Sequence, residues 1–282
     1  MKIIITGANG FIGKHLCRRL QVEGWTFSCI TRPGSSQTFF TRNKIPTIQI
    51  ERGKGSVVNL LKSEKATGIV HLASYFAAEH QEEDVIRLIE SNILFGTQLL
   101  NAAVESNARW FLNTGTFWQH YNGLKYDPVN LYAATKQAFE DIGRYFANAH
   151  GLRFCTLKLA DTYGPDDTRT KIYGLWEKIA MSGETLDMSP GDQLVDIVHV
   201  DQVVEAYIRL IKALDGGLIN KENCESYYVS SNRKITLREL AKEYENNNGV
   251  RLNINWGGRS YRKREVMKPS CIGHRIEDLP EY

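Results

Sequence analysis

What the chain has little of narrows the choices first. Cysteine is scarce: Cys17, Cys29, Cys155, Cys224 and Cys271 make five in 282 residues, an odd number with no CxxC spacing. That excludes a disulfide framework and a cysteine zinc site, and fits incidental thiols in a reducing compartment. Proline is sparse at seven, and no Pro-rich linker, internal repeat or low-complexity tract divides the chain. No segment approaches the roughly 20 apolar residues that span a bilayer. The opening Met-Lys-Ile-Ile-Ile-Thr-Gly has an apolar run too short for a secretion signal. The expectation is a cytoplasmic protein with no metal and no membrane partner. A net charge of +3 is spread along the chain and does not argue for nucleic acid. The densest basic run, Arg259 to Arg264, reads either as solvated surface or as a pocket for a substrate phosphate.

What is there has an order. Residues 2–6 read as a buried strand, followed by a glycine-rich turn and a helical pattern to about Val22. Strands are expected at Trp25–Thr31, Gly68–Ser74, Arg109–Asn113 and Phe154–Leu159. Residues 35–47 read as a polar loop. Ile86, Ile89, Ile93, Leu99 and Leu100 fall at helical spacing within Val85–Ser106, and a further helix is expected over Leu131–Asn148. Strand and helix alternate, which argues for a parallel sheet covered on both faces. Past residue 165 the pattern becomes irregular and suggests a smaller lobe.

The first turn reads Thr6-Gly7-Ala8-Asn9-Gly10-Phe11-Ile12-Gly13. Glycines at 7, 10 and 13 permit a tight turn, a close approach to a pyrophosphate and close helix packing. The helix N-terminus then offers free N–H groups and a partial positive charge. With a strand before it and a helix after it, this is a dinucleotide-binding turn of the Rossmann type. Such folds place an acid about 20 residues after the loop, on the adenine ribose of NAD. Here Thr31-Arg32-Pro33-Gly34-Ser35 has none. Arg32, helped by Ser35, can pair with a 2′-phosphate, which favours NADPH (NADP) as cofactor. The fold expected is therefore α/β, a Rossmann-type doubly wound parallel sheet with a smaller C-terminal substrate-binding lobe. Residues 1–165 would form the NADP-binding domain, 193–213 would return to it, and 166–282 would mainly form the lobe.

Tyr132-Ala-Ala-Thr-Lys136 puts a phenol and an ammonium one turn apart on one helix face. A cation beside a phenol favours the phenolate, so the pair suits proton transfer at a carbonyl or carbinol oxygen. Together with the glycine loop, it resembles the extended short-chain dehydrogenase/reductases, the superfamily of nucleotide-sugar epimerases, dehydratases and reductases. The resemblance runs from residue 1 to about 270. His71-Leu72-Ala73-Ser74 is similar to the wall beside the cofactor, with Tyr75 next to it toward substrate. The helix containing Asn92-Ile-Leu-Phe-Gly96-Thr97 is similar to that bearing the family's catalytic Asn. Tyr163-Gly164-Pro165 and Asp196-Ile-Val-His-Val-Asp201 also fit.

By that resemblance, Thr114 takes the place of the catalytic Ser or Thr and hydrogen-bonds the sugar carbonyl, while Thr116 helps bind substrate or merely ends the strand. Lys136 would also bond the nicotinamide ribose, and Asn92 would organise that lysine through water. Asp161 stands where relatives carry an Asn near the substrate diphosphate. An acid there would repel the diphosphate, so another role is expected for it. Lys178, Arg259 and Arg262 are candidates for nucleotide contacts. Relatives often hold adenine with an Asp after the third strand, and the stretch from Ile50 to Val57 has none.

Dehydratases of the superfamily carry an Asp-Glu pair directly after the catalytic Thr. Gly115-Thr116 replaces it here and argues against dehydration. An epimerase typically retains NAD, which Thr31-Arg32 disfavours, whereas a reductase releases a spent NADPH. The stretch Asn113 to Gln119, that from Pro128 to Glu140, and Tyr261 to Met267 resemble the CDP-paratose and CDP-abequose synthases. That resemblance implies NADPH reduction of the C4 ketone of CDP-4-keto-3,6-dideoxyglucose, a CDP-linked keto-deoxysugar used for O-antigen in lipopolysaccharide biosynthesis. A nucleotide-sugar 4-epimerase and a catalytically inactive NADPH sensor are the alternatives. The resemblance also implies a possible homodimer.

Overall fold

Side chains along each expected strand alternate between two apolar layers, as a pleated strand covered on both faces requires. The computed structural model describes residues 1–50, 57–219 and 225–280. Cys224, and the 51–56 stretch read for adenine contacts, lie outside the described residues. The chain opens with β1 (Lys2–Thr6), α1 (Phe11–Val22) and β2 (Thr26–Thr31). A short helix α2 (Thr38–Arg42) and a strand β3 (Thr47–Gln49) follow, where the polar composition suggested only a loop. Next come α3 (Val57–Ser63), β4 (Gly68–His71), α4 (Glu82–Ile89), α5 (Phe95–Glu105), β5 (Trp110–Thr116), α6 (Leu131–His150) and β6 (Arg153–Leu159). Shorter elements then dominate: β7 (Asp161–Tyr163), α7 (Ile172–Ser182), β8 (Leu186–Met188), β9 (Leu194–Val195) and β10 (Ile197–His199). Last are α8 (Val200–Gly216), β11 (Glu225–Val229), β12 (Ile235–Thr236), α9 (Leu237–Asn248), β13 (Ile254–Trp256) and β14 (His274–Arg275).

Eight strands form one parallel sheet in the order β14-β11-β6-β5-β4-β1-β2-β3. Ile3 and Ile5 of β1, with Trp110 and Leu112 of β5, pack on one face with Leu16 and Leu20 of α1 and Leu210 and Leu214 of α8. Ile4 and Phe111 point the other way, into Leu99, Leu100 and Phe139 of α5 and α6. A third cluster of Trp176, Ile179, Met188, Leu237 and Leu240 stands apart and draws on α7, β8 and α9. Beyond residue 166, β11 and β14 as well as α8 return to the sheet, more of the chain than the 193–213 stretch. Strand order changes direction between β1 and β4, and such a switch point opens a crevice at the strands' C-terminal ends.

The segment read as one helix over Val85–Ser106 is interrupted. Glu90–Leu94 forms a π-helical turn between α4 and α5. The wide turn shifts the register: Ile86, 66% exposed, and Ile89 lie at the surface although their spacing suggested a core face, and Val85 and Leu94 are exposed as well. In return Asn92 turns inward and is buried.

Beneath the C-terminal ends of β5 and β6 lies a buried carboxylate. Glu140, on α6, meets Lys158 Nζ at 3.3 Å and Arg144 at 3.2 Å, and accepts from Ser226 Oγ at 2.7 Å and Gln119 Nε2 at 2.8 Å. Gln119 Oε1 in turn accepts from the Thr116 N–H at 2.8 Å. Burial pushes the Glu140 carboxyl up, but Lys158, Ser226, Gln119 and Arg144 more than offset this and hold it below the ordinary carboxylate range. Glu140→Ala should therefore cost about 3–5 kcal/mol at neutral pH, because it leaves Lys158 as an uncompensated buried cation. A carboxylate depressed in the folded state contributes stability above its unfolded pKa and loses it as pH falls through the folded one. Chemical denaturation of wild type and variant should show the gap narrowing below the ordinary carboxylate range, and a constant gap would refute the assignment.

Candidate active site

The crevice is built around a close crossing. The chain leaves β1 through Gly7, whose φ is +72° and where a Cβ would lie 2.5 Å from the Ala73 nitrogen and 2.6 Å from the Leu72 carbonyl carbon. Only a residue without a side chain lets the turns after β1 and β4 pass. Gly13 serves packing in the same way, since a Cβ there would lie 2.5 Å from the Gly7 oxygen. No side chain caps α1 and no acid sits in its first turn, which leaves its N–H groups and positive end to an anion. A cavity of about 1000 Å³ opens there, lined among others by Gly7, Asn9, Gly10, Thr31, Arg32, Ser35, Leu72, Ala73, Ser74 and Tyr75. Phe11, Ile12 and Gly13 stand behind it in the first turn of α1, with Phe11 packed edge-on to His15 and under Arg169. The residues present fit a nicotinamide dinucleotide: a long cavity across the switch point, an uncapped helix start, and a buried Thr31 hydroxyl with no protein partner. Arg32 is exposed at its rim and makes no ion pair among the described residues.

Tyr132, Lys136, Thr114 and Thr116 do not line this cavity, and Tyr132 meets its wall through a hydrogen bond with Ser74. Asn130 caps α6 by accepting from the Ala133 N–H at 2.9 Å, which fixes the turn that carries Tyr132. Burial pushes the Tyr132 phenol up to about 12, while a hydrogen bond with Ser74 opposes the rise and Asp161 adds to it. The sequence led us to expect a phenol lowered by Lys136. The structure reverses this, because desolvation of the phenolate dominates and Lys136 is not among the groups acting on it. Lys136 is itself fully buried, and burial lowers it to about 8 against the opposing pull of Glu140.

Asn92 does not reach toward the lysine with its side chain. Its Oδ1 accepts from the Tyr75 N–H at 2.7 Å and Ser74 Oγ at 3.2 Å, and its Nδ2 donates to the Tyr75 oxygen and Thr135 Oγ1, both at 2.9 Å. It thus ties the cofactor wall to the helix of Tyr132 and Lys136. Thr114 Oγ1 donates to the His71 oxygen at 2.9 Å and lies 2.7 Å from the phenol of Tyr207 on α8. A hydroxyl has one proton, so Tyr207 donates and the Thr114 proton is already committed to the backbone. This departs from the expectation that Thr114 donates to a sugar carbonyl. Thr116, two residues on and on the same face of β5, only accepts, from the Trp118 N–H at 3.3 Å, and its own proton has no acceptor among the described residues.

Other candidates sort unevenly. Tyr75 lines the cavity, but its phenol donates to Asp84 at 2.6 Å. Asp161 pairs with Lys171 at 3.1 Å, which gives the acid its other role as a counter-charge. Lys178 is 71% exposed, pairs with Glu184 at 3.4 Å on the outside of α7, and is not brought to the cavity. Arg259 is exposed, with its backbone N–H held by the Met188 oxygen at 3.1 Å, and Arg262 reaches Glu79 at 3.4 Å. Asp196 is buried and accepts from the Ser231 N–H at 2.8 Å, a structural anchor. Two residues at the site escaped the sequence reading, Tyr207 and Phe76, and Trp118 entered it only as part of the Asn113–Gln119 stretch, with no role. Phe76 and Tyr132 meet edge to face with ring centroids 4.9 Å apart. The Tyr75-Phe76 pair directly after the Leu72-Ala73-Ser74 wall was the signal available for Phe76; Tyr207 lies in an apolar helical run that reads as core.

The NAD dependent epimerase/dehydratase family matches residues 3–222. The CDP-abequose synthase of Salmonella typhimurium is 27% identical over 248 residues, 86% of this chain and 80% of that protein. That of Yersinia pseudotuberculosis is 26% identical and covers 100% of this chain and 98% of its own length. Among solved structures, the UDP-glucuronic acid 4-epimerase of Bacillus cereus, in complex with UDP-glucuronic acid and NAD, has a TM-score of 0.84 at 18% identity, over 96% of this chain and 90% of its own. The UDP-glucose 4-epimerase of Thermus thermophilus, in complex with NAD, has a TM-score of 0.80 at 20% identity, over 97% and 91%. No helix among the described residues is long and apolar enough to cross a membrane. With the matched span taking in the glycine loop, the buried Asn92 and the Tyr132–Lys136 helix, the chain belongs to the NAD dependent epimerase/dehydratase family.

Proposed function

We propose that this chain is a cytoplasmic NADPH-dependent reductase that converts the C4 ketone of CDP-4-keto-3,6-dideoxyglucose to CDP-paratose or CDP-abequose, for O-antigen assembly. The names of the curated relatives support the CDP-sugar class. The observation that carries the reading is the turn after Thr114. A Cβ at Gly115 would lie 2.6 Å from Gln119 Oε1, 2.8 Å from Thr156 and 2.9 Å from Lys158. No carboxylate fits there to drive dehydration, and a hydroxyl follows at Thr116. Arg32, at the cavity rim with no ion-pair partner among the described residues, supports the 2′-phosphate of NADPH over NADH.

A bound nicotinamide cofactor would supply hydride to the ketone carbon. Tyr132 supplies the proton to the ketone oxygen. A phenol near 12 keeps its proton until an alkoxide, a stronger base, develops there. Lys136, near 8, is mostly charged around neutrality. Thr116 holds the oxygen with the proton it has to give, and Thr114, clamped by Tyr207 and His71, sets the position of the strand end that carries both. The exposed strip of Val85, Ile86, Ile89 and Leu94 supports pairing of two copies.

The deciding experiment mixes the protein with NADPH and the CDP-4-keto sugar. One NADPH should be oxidised per sugar consumed, whereas no oxidation with the ketone, together with interconversion of the two C4-hydroxy CDP-sugars without net cofactor turnover, would indicate a 4-epimerase. Tyr132→Phe should lower kcat by about 10²–10⁴-fold. NADPH affinity, read by fluorescence, should not change, and retained turnover would remove Tyr132 as donor. Arg32→Ala should raise KM for NADPH about tenfold or more while leaving that for NADH nearly unchanged. Equal changes for both would show that Arg32 does not read the phosphate.

A further inference from the structure

We infer that Phe76, backed by Trp118, is the specificity-determining wall of the sugar site and selects a sugar whose ring carries hydrogen, not hydroxyl, beside the reacting ketone. The inference rests on the reductase reading for its choice of substrate, but the wall itself is built from this chain's geometry. Phe76 is 46% exposed, although it stands 4.9 Å from Tyr132 and 5.8 Å from Trp118 between ring centroids. It is not loose. On one side Asn92 holds both the N–H and the oxygen of Tyr75, at 2.7 and 2.9 Å. On the other, Asn130 Nδ2 donates to the oxygens of Ala77 and Ala78, at 3.4 and 2.8 Å. A large apolar ring pinned at both ends and left open beside a proton donor suits contact with a ligand rather than the fold.

Several polar side chains around it already have partners. Asn130 Oδ1 caps α6, the Tyr75 phenol donates to Asp84 at 2.6 Å, and Lys171, whose ammonium lies 4.9 Å from the Phe76 centroid, pairs with Asp161. A sugar hydroxyl laid against the Phe76 ring would lose water and gain no hydrogen bond from the ring, whereas a C–H would lose nothing. An apolar wall discriminates against an added hydroxyl only moderately, by about 10–100-fold.

The test compares two ligands that differ by one hydroxyl, CDP-4-keto-6-deoxyglucose and its 3-deoxy counterpart, in wild type, Phe76→Leu and Phe76→Ser. Two readouts are taken: kcat/KM by NADPH oxidation, and the Kd of the corresponding 4-hydroxy CDP-sugars, which needs no turnover. Because Phe76 is half exposed, both variants should keep the wild-type melting temperature. Wild type and Phe76→Leu should favour the 3-deoxy ligand about 10–100-fold, and Phe76→Ser should bring the two within about threefold. A wild-type ratio near one, or a ratio unchanged by serine, overturns the wall. No turnover of either ketone with a preserved Kd ratio sinks the reductase reading and leaves the wall standing. Failure of both sugars to bind sinks both.

Discussion

One buried amide holds the site together. Asn92 has two donors and two acceptor lone pairs, and all are used: on the Ser74–Tyr75 wall after β4, and on Thr135 in the turn between Tyr132 and Lys136. A satisfied amide in a dry environment is rigid, because each bond it loses leaves a buried polar group without water. The cofactor wall, the proton donor and the open ring of Phe76 all take their positions from it. The amide reaches them only because a π-helical turn swings it out of the helix register.

The charges follow a division of labour. Lys136 and Lys158 are both fully buried, yet among the described residues only Lys158 has a carboxylate within ion-pair distance, Glu140 at 3.3 Å. Glu140 pulls on Lys136 from one turn away and does not cancel its desolvation, so Lys136 sits near 8. The same carboxylate grips Gln119, which grips the backbone of Thr116. Removing it would disturb both the electrostatics of α6 and the strand end that offers hydroxyls to the substrate. The neighbouring His71 is held neutral, lowered to about 3 by its burial and by Lys136, and its backbone oxygen takes the Thr114 proton.

Chemistry that depends on neighbours in the chain was legible. The glycines at 7, 10 and 13, the Tyr132–Lys136 spacing and the missing acid after β2 each express a local constraint: a turn, one helix face, one loop. Strand and helix alternation sufficed for the parallel sheet, since a strand covered on both faces must be apolar throughout. Periodicity failed where it was interrupted. Ile86 and Ile89 kept helical spacing, but the π turn rotated them to the surface, and no propensity marks that insertion. Thr38–Arg42 and Thr47–Gln49 are too short to carry a period.

The sequence by itself determined the fold class, the glycine turn after β1 and the placing of Tyr132 and Lys136 on one helix face, because these rest on residues within a few positions of each other. Tertiary structure alone decided the rest. Whether burial or a nearby ammonium governs Tyr132 depends on how much water α6 and β5 exclude, and burial prevails. Where the Thr114 proton goes depends on Tyr207, 93 residues away, and on the His71 oxygen across the sheet. That Lys178 faces solvent and Phe76 faces the site follows from how α7 and the loop after β4 pack. Hydrogen-bond direction and desolvation are properties of a packed environment, and a linear pattern of residues does not contain it.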